Sequence, residues 1–305
     1  MTRAIFLNDD LKKSFLVTNP NMSHIEHKMI QFNGGEPHIK ISDDLVSIRK
    51  DSTDIVFITK LTSPKEVLEL AIAVDAIERA GLSGSKFHLY LGYLPGSRQD
   101  RVCENGEALT CSVYARMINT LTFWSSVQFI DSHSNVMPAL LNNSIPIDNK
   151  HFVDVAIEEL DLEDFTLISP DAGASPKIIK LAQHINTSKD IKVDVVRADK
   201  LRDTTNGQIL ETLVFADDLT GKDCVIVDDI CDGGRTFIEL AKVLRNKGAR
   251  NVILIVTHGI FSKGYDVVLE HVDQIVTTNS FADLTDDTDG SVTVIGLNPE
   301  FYTYK

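Results

Sequence analysis

Short apolar and β-branched runs alternate with amphipathic stretches along most of the 305-residue chain. Runs at 54–61, 86–94, 126–131, 165–173, 191–199, 224–230 and 251–261 predict strands, and 64–81, 112–121, 176–185 and 236–249 predict helices. Strands separated by helices form parallel sheets with right-handed crossovers. The pattern restarts near residue 150. The sequence therefore predicts an α/β fold with two domains, 1–149 and 150–305, each a mostly parallel sheet flanked by helices.

The charge balance excludes some classes of protein. Asp and Glu number 44 against 30 Lys and Arg, a formal charge of −14, which opposes sequence-independent binding to nucleic acid. No apolar run approaches the ~20 residues of a membrane span, and the first residues turn acidic too early for a signal peptide. The four cysteines show no CxxC spacing. We expect a cytoplasmic protein with no nucleic-acid or membrane partner, no disulfide framework and no zinc site.

The strand predicted at 224–230 leads into the segment that carries most of the chemistry. Asp228 and Asp229 are hydrogen-bond acceptors at its end and suit vicinal sugar hydroxyls. Residues 232–236 form a glycine-bearing turn that opens a helix, whose N–H groups suit a phosphate. A solvated acidic strand end followed by an ordinary turn is the alternative. The strand before and the helix after favour a ligand site, since ligands lie at the carboxyl ends of parallel strands.

This segment resembles the ribose-5-phosphate loop of two families, the phosphoribosyltransferases and the ribose-phosphate diphosphokinases (phosphoribosyl diphosphate synthetases). Six further segments resemble the diphosphokinases in the same order along the chain: 32–36, 98–101, 131–135, 169–173, 199–202 and 257–262. Any one of them alone is weakly specific, but together they are highly specific. The chain thus resembles a divergent diphosphokinase, which implies two phosphoribosyltransferase-like domains.

The resemblance implies a reaction and its participants. The anomeric hydroxyl of ribose 5-phosphate would attack the β-phosphorus of ATP, taking the β,γ-diphosphoryl group and releasing AMP. The N-terminal domain would contact ATP, the C-terminal domain would bind the sugar phosphate, and Mg²⁺ would be the cofactor. The family also implies a homo-oligomer, a dimer or a hexamer.

The resemblance assigns the nucleotide contacts to the N-terminal half. Phe32 would stack on adenine, and Glu36 would receive the adenine amino group. Asp100 would hold the residues that contact the nucleotide. The full set of implied ATP-binding residues is Phe32, Asn33, Glu36, Arg98, Gln99, Asp100 and His133.

The implied catalytic cations are Lys200 and Arg202, on a mobile loop that follows a strand and clamps the transferred group. Closure of such a loop excludes water, which would otherwise accept the diphosphoryl group. His133 and Asp171 lie in the segments that resemble the family's metal side, and they are the candidate contacts of Mg²⁺. Histidine is not a typical magnesium ligand, so His133 either orients a metal-bound water or phosphate or is a structural histidine.

The implied sugar-phosphate residues depart from the family at two positions. Gly233 stands where the family usually has Thr, and Arg235 stands where a Gly is expected. Either Arg235 compensates and the acceptor is ribose 5-phosphate, or the acceptor carries more than one phosphate on its 5′ side, as ADP-ribose does. The full set is Asp171, Asp228, Asp229, Asp232, Gly233, Gly234, Arg235 and Thr236.

Two other classes of protein use parts of this pattern. A phosphoribosyltransferase has the acid-pair loop but does not require the 98–101 and 32–36 segments. A non-catalytic regulatory relative does not require Lys200, Arg202, His133 and Asp171. A Lys200→Ala variant separates an enzyme from a scaffold, because only the enzyme loses rate. Two alternatives remain for His258: a supporting role beside the acidic pair, or packing alone.

Overall fold

The computed structural model describes residues 2–42, 54–82, 84–189, 191–202, 209–284 and 290–302, with the backbone alone for 201, 202, 209 and 210. The chain divides into two units, one of Met1–Asp148 with Gly296–Lys305 and one of Asn149–Ile295. This division lies one residue from the boundary that the sequence predicts. Residues from Gly296 onward, which the sequence places in the second domain, belong instead to the first unit.

Aromatic packing explains why this late segment belongs to the first unit. The Tyr302 ring stacks on Tyr90 with centroids 4.5 Å apart and lies 5.8 Å from Phe15. Gly296 approaches Ser14 so closely that a Cβ there would lie 2.8 Å from its Oγ. These contacts join residues far apart in sequence, which periodicity does not reveal.

The first unit contains a five-stranded parallel sheet in the order β1-β4-β5-β6-β7. Its strands are β1 (Thr2–Phe6), β4 (Asp54–Thr59), β5 (Lys86–Leu91), β6 (Trp124–Ile130) and β7 (Ser144–Ile147). A separate antiparallel hairpin joins β2 (His27–Gln31) and β3 (Pro37–Ile41). The α-helices among its described residues are α1 (Asp9–Thr18), α2 (Pro64–Ile77), α3 (Thr110–Leu121) and α4 (Val136–Leu140).

Helix α2 shows how the sequence sets an element. Pro64 suits the first helical position, and Ser63 with Glu66 forms a capping box, in which the Ser63 amide donates to Glu66 Oε2 at 2.7 Å. Leu70 and Val74, one turn apart, are buried against the sheet. The helix gives way to a π-helical turn at Glu78–Leu82, where Gly81 has φ +83°.

The second unit contains a seven-stranded sheet in the order β10-β9-β8-β11-β12-β13-β14, antiparallel only between β9 and β10. Its strands are β8 (Phe165–Ser169), β9 (Asp194–Arg202), β10 (Ile209–Val214), β11 (Asp223–Cys231), β12 (Asn251–Gly259), β13 (Gln274–Thr278) and β14 (Val292–Ile295). Its helices are α5 (Lys150–Glu159), α6 (Ser175–Ser188), α7 (Arg235–Asn246) and α8 (Asp266–Leu269).

The strand order in this sheet reverses between β8 and β11. The chain leaves β8 towards β9 and β10, then returns to the other side of β8 to form β11 and β12. A crevice opens at such a reversal, outside the carboxyl ends of the two strands, and is the favoured ligand position in open parallel sheets. The predicted site segments follow these two strands.

The predicted α/β fold of two mostly parallel sheets is confirmed, but one local prediction is wrong. Lys200 and Arg202 lie on β9, not on a loop that follows a strand. Antiparallel pairing with β10, where Lys200 faces Thr212, extends β9 to Arg202. The pairing partner lies beyond the strand itself, so the local sequence does not show where β9 ends.

In the part of the chain that the structure describes, no helix has both the length and the apolar character needed to cross a bilayer.

Candidate active site

Two adjacent carboxylates lie near the carboxyl end of β11, beside the reversal of strand order. The Asp229 amide donates to Oδ1 of Asp228 at 2.9 Å, and the Asp229 side chain is buried. Burial, with the negative charges of Asp229 and Asp171, raises the pKa of Asp228 well above its usual value. A group that donates hydrogen bonds to this pair would relieve the cost of keeping it charged.

A carboxylate–ammonium pair lies at the end of β8. Nζ of Lys200 donates to Oδ2 of Asp171 at 3.0 Å, and the Lys200 side chain is only 6% exposed. The Ala174 amide donates to Oδ1 of Asp171 at 3.0 Å. Burial opposes the charge of Asp171, but the charge of Lys200 and the backbone hydrogen bonds hold its pKa below the usual value. The structure therefore brings Asp171, Lys200 and Asp228 together at one sheet edge.

The predicted phosphate loop connects β11 to α7. Gly234 has φ +74°, and a Cβ there would lie 2.4 Å from Cγ2 of Val268, so glycine is required on both counts. Asp232 and Gly233 precede it, and Arg235 and Thr236 form the first turn of α7, with Arg235 exposed. The turn opens the N-terminus of α7, and backbone amides at helix N-termini generally suit an anion.

The loop after β12 lies against this phosphate loop. The amides of Ile260 and Phe261 donate to the Cys231 carbonyl at 2.9 and 3.1 Å, and the Ser262 amide donates to the Asp232 carbonyl at 3.2 Å. Lys263 follows in this loop and is exposed. Lys263 is not among the site residues that the sequence predicts, although a cation directly after the 257–262 segment is a signal for it.

His258 lies on β12 beside Ile230 of β11. Its Nδ1 forms a 2.7 Å hydrogen bond with the hydroxyl of Ser280, and both residues are buried. This favours a packing role for His258.

Cys224 and Cys231 are also buried, and burial raises the pKa of their thiols to about 11 and about 12. Neither thiol is therefore a reactive nucleophile at neutral pH.

In the first unit, the structure brings two predicted segments together at the ends of β5 and β6. Asp100 accepts hydrogen bonds from the side chains of Ser134 and Arg101, the latter at 3.2 Å. Burial opposes its charge, but these bonds and the nearby His133 lower its pKa. Arg98 and Gln99 beside it are exposed. Ser134, absent from the predicted set, thus anchors Asp100.

The third predicted segment forms the turn of the β2–β3 hairpin. The Phe32 amide donates to the Glu36 carbonyl at 2.9 Å, and Gly35 adopts φ +91°. Phe32 is 54% exposed, and its ring centroid lies 6.1 Å from that of His38. Asn33 and Glu36 are also exposed. An exposed aromatic ring on a tight turn is available for stacking.

The predicted catalytic cation Arg202 has a side chain that lies outside the described residues.

Among the residues that are described, no three His, Cys, Asp or Glu side chains lie close enough together to bind a metal ion. Mg²⁺ uses one or two carboxylates and takes its other oxygens from phosphates and water. Asp171 fits this donor chemistry, because its carboxylate is held ionised and its side chain is partly exposed at the end of β8. His133, beside Asp100, does not fit it.

Comparison with known proteins shows the family. The family model for the N-terminal domain of ribose phosphate pyrophosphokinase matches residues 8–121, and that for the phosphoribosyl transferase domain matches residues 142–287. A ribose-phosphate pyrophosphokinase of Mycoplasmopsis pulmonis is 31% identical over 238 residues, covering 77% of this chain and 71% of the relative. That of Mycoplasma pneumoniae is 30% identical over 283 residues, covering 89% and 81%.

A solved structure supports the same conclusion for the fold. Phosphoribosylpyrophosphate synthetase from Mycobacterium smegmatis superposes with a TM-score of 0.78 at 21% identity, covering 97% of this chain and 94% of that one. The relatives span both units of the chain, and their shared name is that of a transferase. The chain belongs to the ribose-phosphate pyrophosphokinase family and is an enzyme of the transferase class.

Proposed function

We propose that the enzyme transfers the β,γ-diphosphoryl group of ATP to the anomeric 1-hydroxyl of ribose 5-phosphate, making phosphoribosyl diphosphate. The hydroxyl oxygen forms a bond to the β-phosphorus, and its proton passes to the solvent. The bond from the β-phosphorus to the oxygen that bridges to the α-phosphorus breaks, and AMP leaves. Such transfers depend on positioning and on neutralisation of charge at the phosphate oxygens.

The observation that carries this proposal is the group of charges at the reversal of strand order. Lys200 lies 3.0 Å from Asp171, and the charge of Asp171 acts on Asp228. The carboxylates suit the hydroxyls of a ribose, and Lys200 suits the transferred phosphates. Arg202 is proposed as a second cation by position on β9. A ribosyl acceptor with its 5′-phosphate on residues 232–236 would use all of these groups.

ATP is proposed to bind the first unit, and the sugar phosphate the second. The exposed ring of Phe32 suits adenine, and the exposed side chains of Arg98 and Gln99 suit phosphates and ribose. Asp100, fixed by Ser134 and Arg101, supports this segment. Asp171 is the residue that would hold Mg²⁺, which supplies charge neutralisation at the phosphate oxygens when bound.

ADP-ribose is a second candidate acceptor for the same chemistry. Its anomeric carbon is the same, but its 5′ side carries a diphosphate. The exposed guanidinium of Arg235 at the start of α7 suits an additional phosphate. Gly233 leaves space where a side chain would otherwise narrow the loop.

AMP release tests the reaction and its acceptor together. The purified enzyme is supplied with ATP and Mg²⁺ and with ribose 5-phosphate, ADP-ribose or no acceptor. We expect acceptor-dependent AMP and a product with a diphosphate on C1, visible by phosphorus NMR. An Asp228→Asn, Asp229→Asn double variant is expected to lose this activity. AMP at the no-acceptor level with both acceptors would contradict the proposal.

A further inference from the structure

The aliphatic stem of Lys263 lies over Gly233 in the phosphate loop. A Cβ built on Gly233 would lie 3.6 Å from Cε of Lys263, 3.7 Å from its Cδ and 3.9 Å from Oγ of Ser262. The ammonium group is one bond beyond that Cε, and the residue is exposed. The cation therefore lies next to the loop that the proposed function assigns to the acceptor phosphate.

The backbone fixes this contact. Three amides of the loop after β12, those of residues 260–262, donate to the carbonyls of Cys231 and Asp232. The Gly264 amide then donates to the Phe261 carbonyl at 2.8 Å, which closes a turn around Lys263. The Cα of Lys263 is thus held against the phosphate loop, and a charge placed this way loses less entropy on binding than one on a free loop.

The backbone conformation and the neighbouring atoms require glycine at residue 234 but not at residue 233. Gly234 is required by its φ of +74° and by Val268. Gly233 has no positive φ, and a Cβ on it would make only ordinary van der Waals contacts. The backbone therefore accepts a side chain at residue 233. The glycine leaves the Lys263 side of the loop without a side chain, and any side chain there would contact the stem of Lys263.

Two exposed cations, Arg235 and Lys263, belong to the two loops that meet here. The helix N-terminus can satisfy one phosphate with its amides, which leaves these cations for further negative charge. We propose that Lys263 determines acceptor specificity by binding the second phosphate of an acceptor that carries a diphosphate on its 5′ side. This inference rests on the proposed function with its second candidate acceptor, ADP-ribose, whose first phosphate would lie on residues 232–236.

Substitution of Lys263 tests the inference in the steady state. With ADP-ribose as acceptor, Lys263→Ala is expected to raise KM about tenfold, the size of one lost charge-assisted contact. With ribose 5-phosphate, KM is expected to change less than about threefold, and KM for ATP is expected to stay unchanged. Lys263→Arg keeps the charge and is expected to retain the wild-type KM for ADP-ribose.

The matched control is Lys222→Ala, at a half-exposed lysine of the same unit that precedes β11 at its opposite end. This variant is expected to match the wild type with both acceptors. A Gly233→Thr variant, which fills the space beside Lys263, is expected to shift preference towards ribose 5-phosphate. Equal effects of Lys263→Ala on both acceptors, or none on either, would overturn the inference.

Binding without turnover separates this inference from the proposed reaction. ADP-ribose and ribose 5-phosphate are titrated into the wild type and Lys263→Ala by calorimetry, without ATP. A tenfold weaker Kd for ADP-ribose alone supports the inference even where no AMP is released, in which case only the proposed reaction fails. Undetectable binding of ADP-ribose to the wild type overturns the inference.

Discussion

Lys200 is almost fully withdrawn from solvent, although lysine seldom is. Its charge is compensated by Asp171 at 3.0 Å. The pair holds a cation ready at the sheet edge where the proposed phosphates would lie. It also couples a proposed catalytic group to a proposed metal-side carboxylate.

Lys200→Ala is therefore expected to lower kcat by at least about a hundredfold, the usual cost of removing one preorganised charge, with little change in KM for ATP. The measurement is AMP release under saturating substrates. Lys189→Ala is the matched control, because Lys189 is a shielded lysine of the same unit that pairs with Glu158. A Lys200→Ala rate close to that of the control would refute the catalytic role.

Asp228 carries a stability cost that depends on pH. Its pKa in the folded protein lies above the ordinary 3.8, so the folded state binds more protons than the unfolded state between the two values. Unfolding free energy is then lost as pH rises through the folded pKa. The loss is complete above that pKa and absent below 3.8.

An Asp228→Asn variant escapes this loss and is expected to unfold a few degrees higher than the wild type at pH 7. It is also expected to lose activity. The two unfolding curves should converge as pH falls towards 3.8, because both side chains are then neutral. Asp164→Asn, at an exposed carboxylate, is the control. A lower midpoint for Asp228→Asn at pH 7 would show that the burial cost is outweighed.

Some contacts between single residues could be predicted from the sequence, and others could not. Asp171 and Asp228 were predictable as neighbours because both lie at or near the carboxyl ends of parallel strands, and those ends meet at one edge of the sheet. The contact of Lys200 with Asp171 was not, because it depends on how far β9 continues. The contact of Lys263 with Gly233 joins residues 30 apart through loops, which have no period to read.

At the scale of elements, the core strands were the most predictable. Val225 and Val227 on β11 are fully buried, and a strand covered on both faces appears as a continuous apolar run. The edge strands β10 and β14 and the β2–β3 hairpin lack such runs. Their positions depend on pairing with neighbouring strands, which the local sequence does not show. Pairing of β9 with β10 explains why the residues predicted to form the catalytic loop lie at the end of β9 instead.

The turn between β11 and α7 allows a matched test. Gly234→Ala is expected to lower the free energy of unfolding by at least about 2 kcal/mol, because it adds left-handed strain and a contact with Val268. Gly233→Ala is the control and is expected to change it by less than about 0.5 kcal/mol. Urea denaturation measures both. Equal losses would mean that Gly233 is also required by the backbone.

Across the whole molecule, the first unit is built from two stretches of sequence that the second unit separates. Tyr302 links them through its stacking on Tyr90. Its hydroxyl is buried without a hydrogen-bond partner among the described residues, and burial raises its pKa. The ring therefore stabilises the unit while the hydroxyl costs free energy.

Tyr302→Ala is expected to destabilise the protein by about 3 kcal/mol, the usual cost of removing a buried aromatic ring. Tyr302→Phe keeps the ring and removes the unpaired hydroxyl, so it is expected to be at least as stable as the wild type. Thermal unfolding of both variants is the measurement. A destabilised Tyr302→Phe protein would indicate that the hydroxyl has a partner in the folded state.

The return of residues 296–302 to the first unit has a consequence for biosynthesis. During translation, α1 and β5 emerge long before Tyr302, and all of Asn149–Ile295 is made in between. The last strand of the second unit, β14, ends only a few residues before the segment that covers Phe15 and Tyr90. Both units therefore need residues beyond 290 to complete their cores, although most of the first unit is synthesised long before.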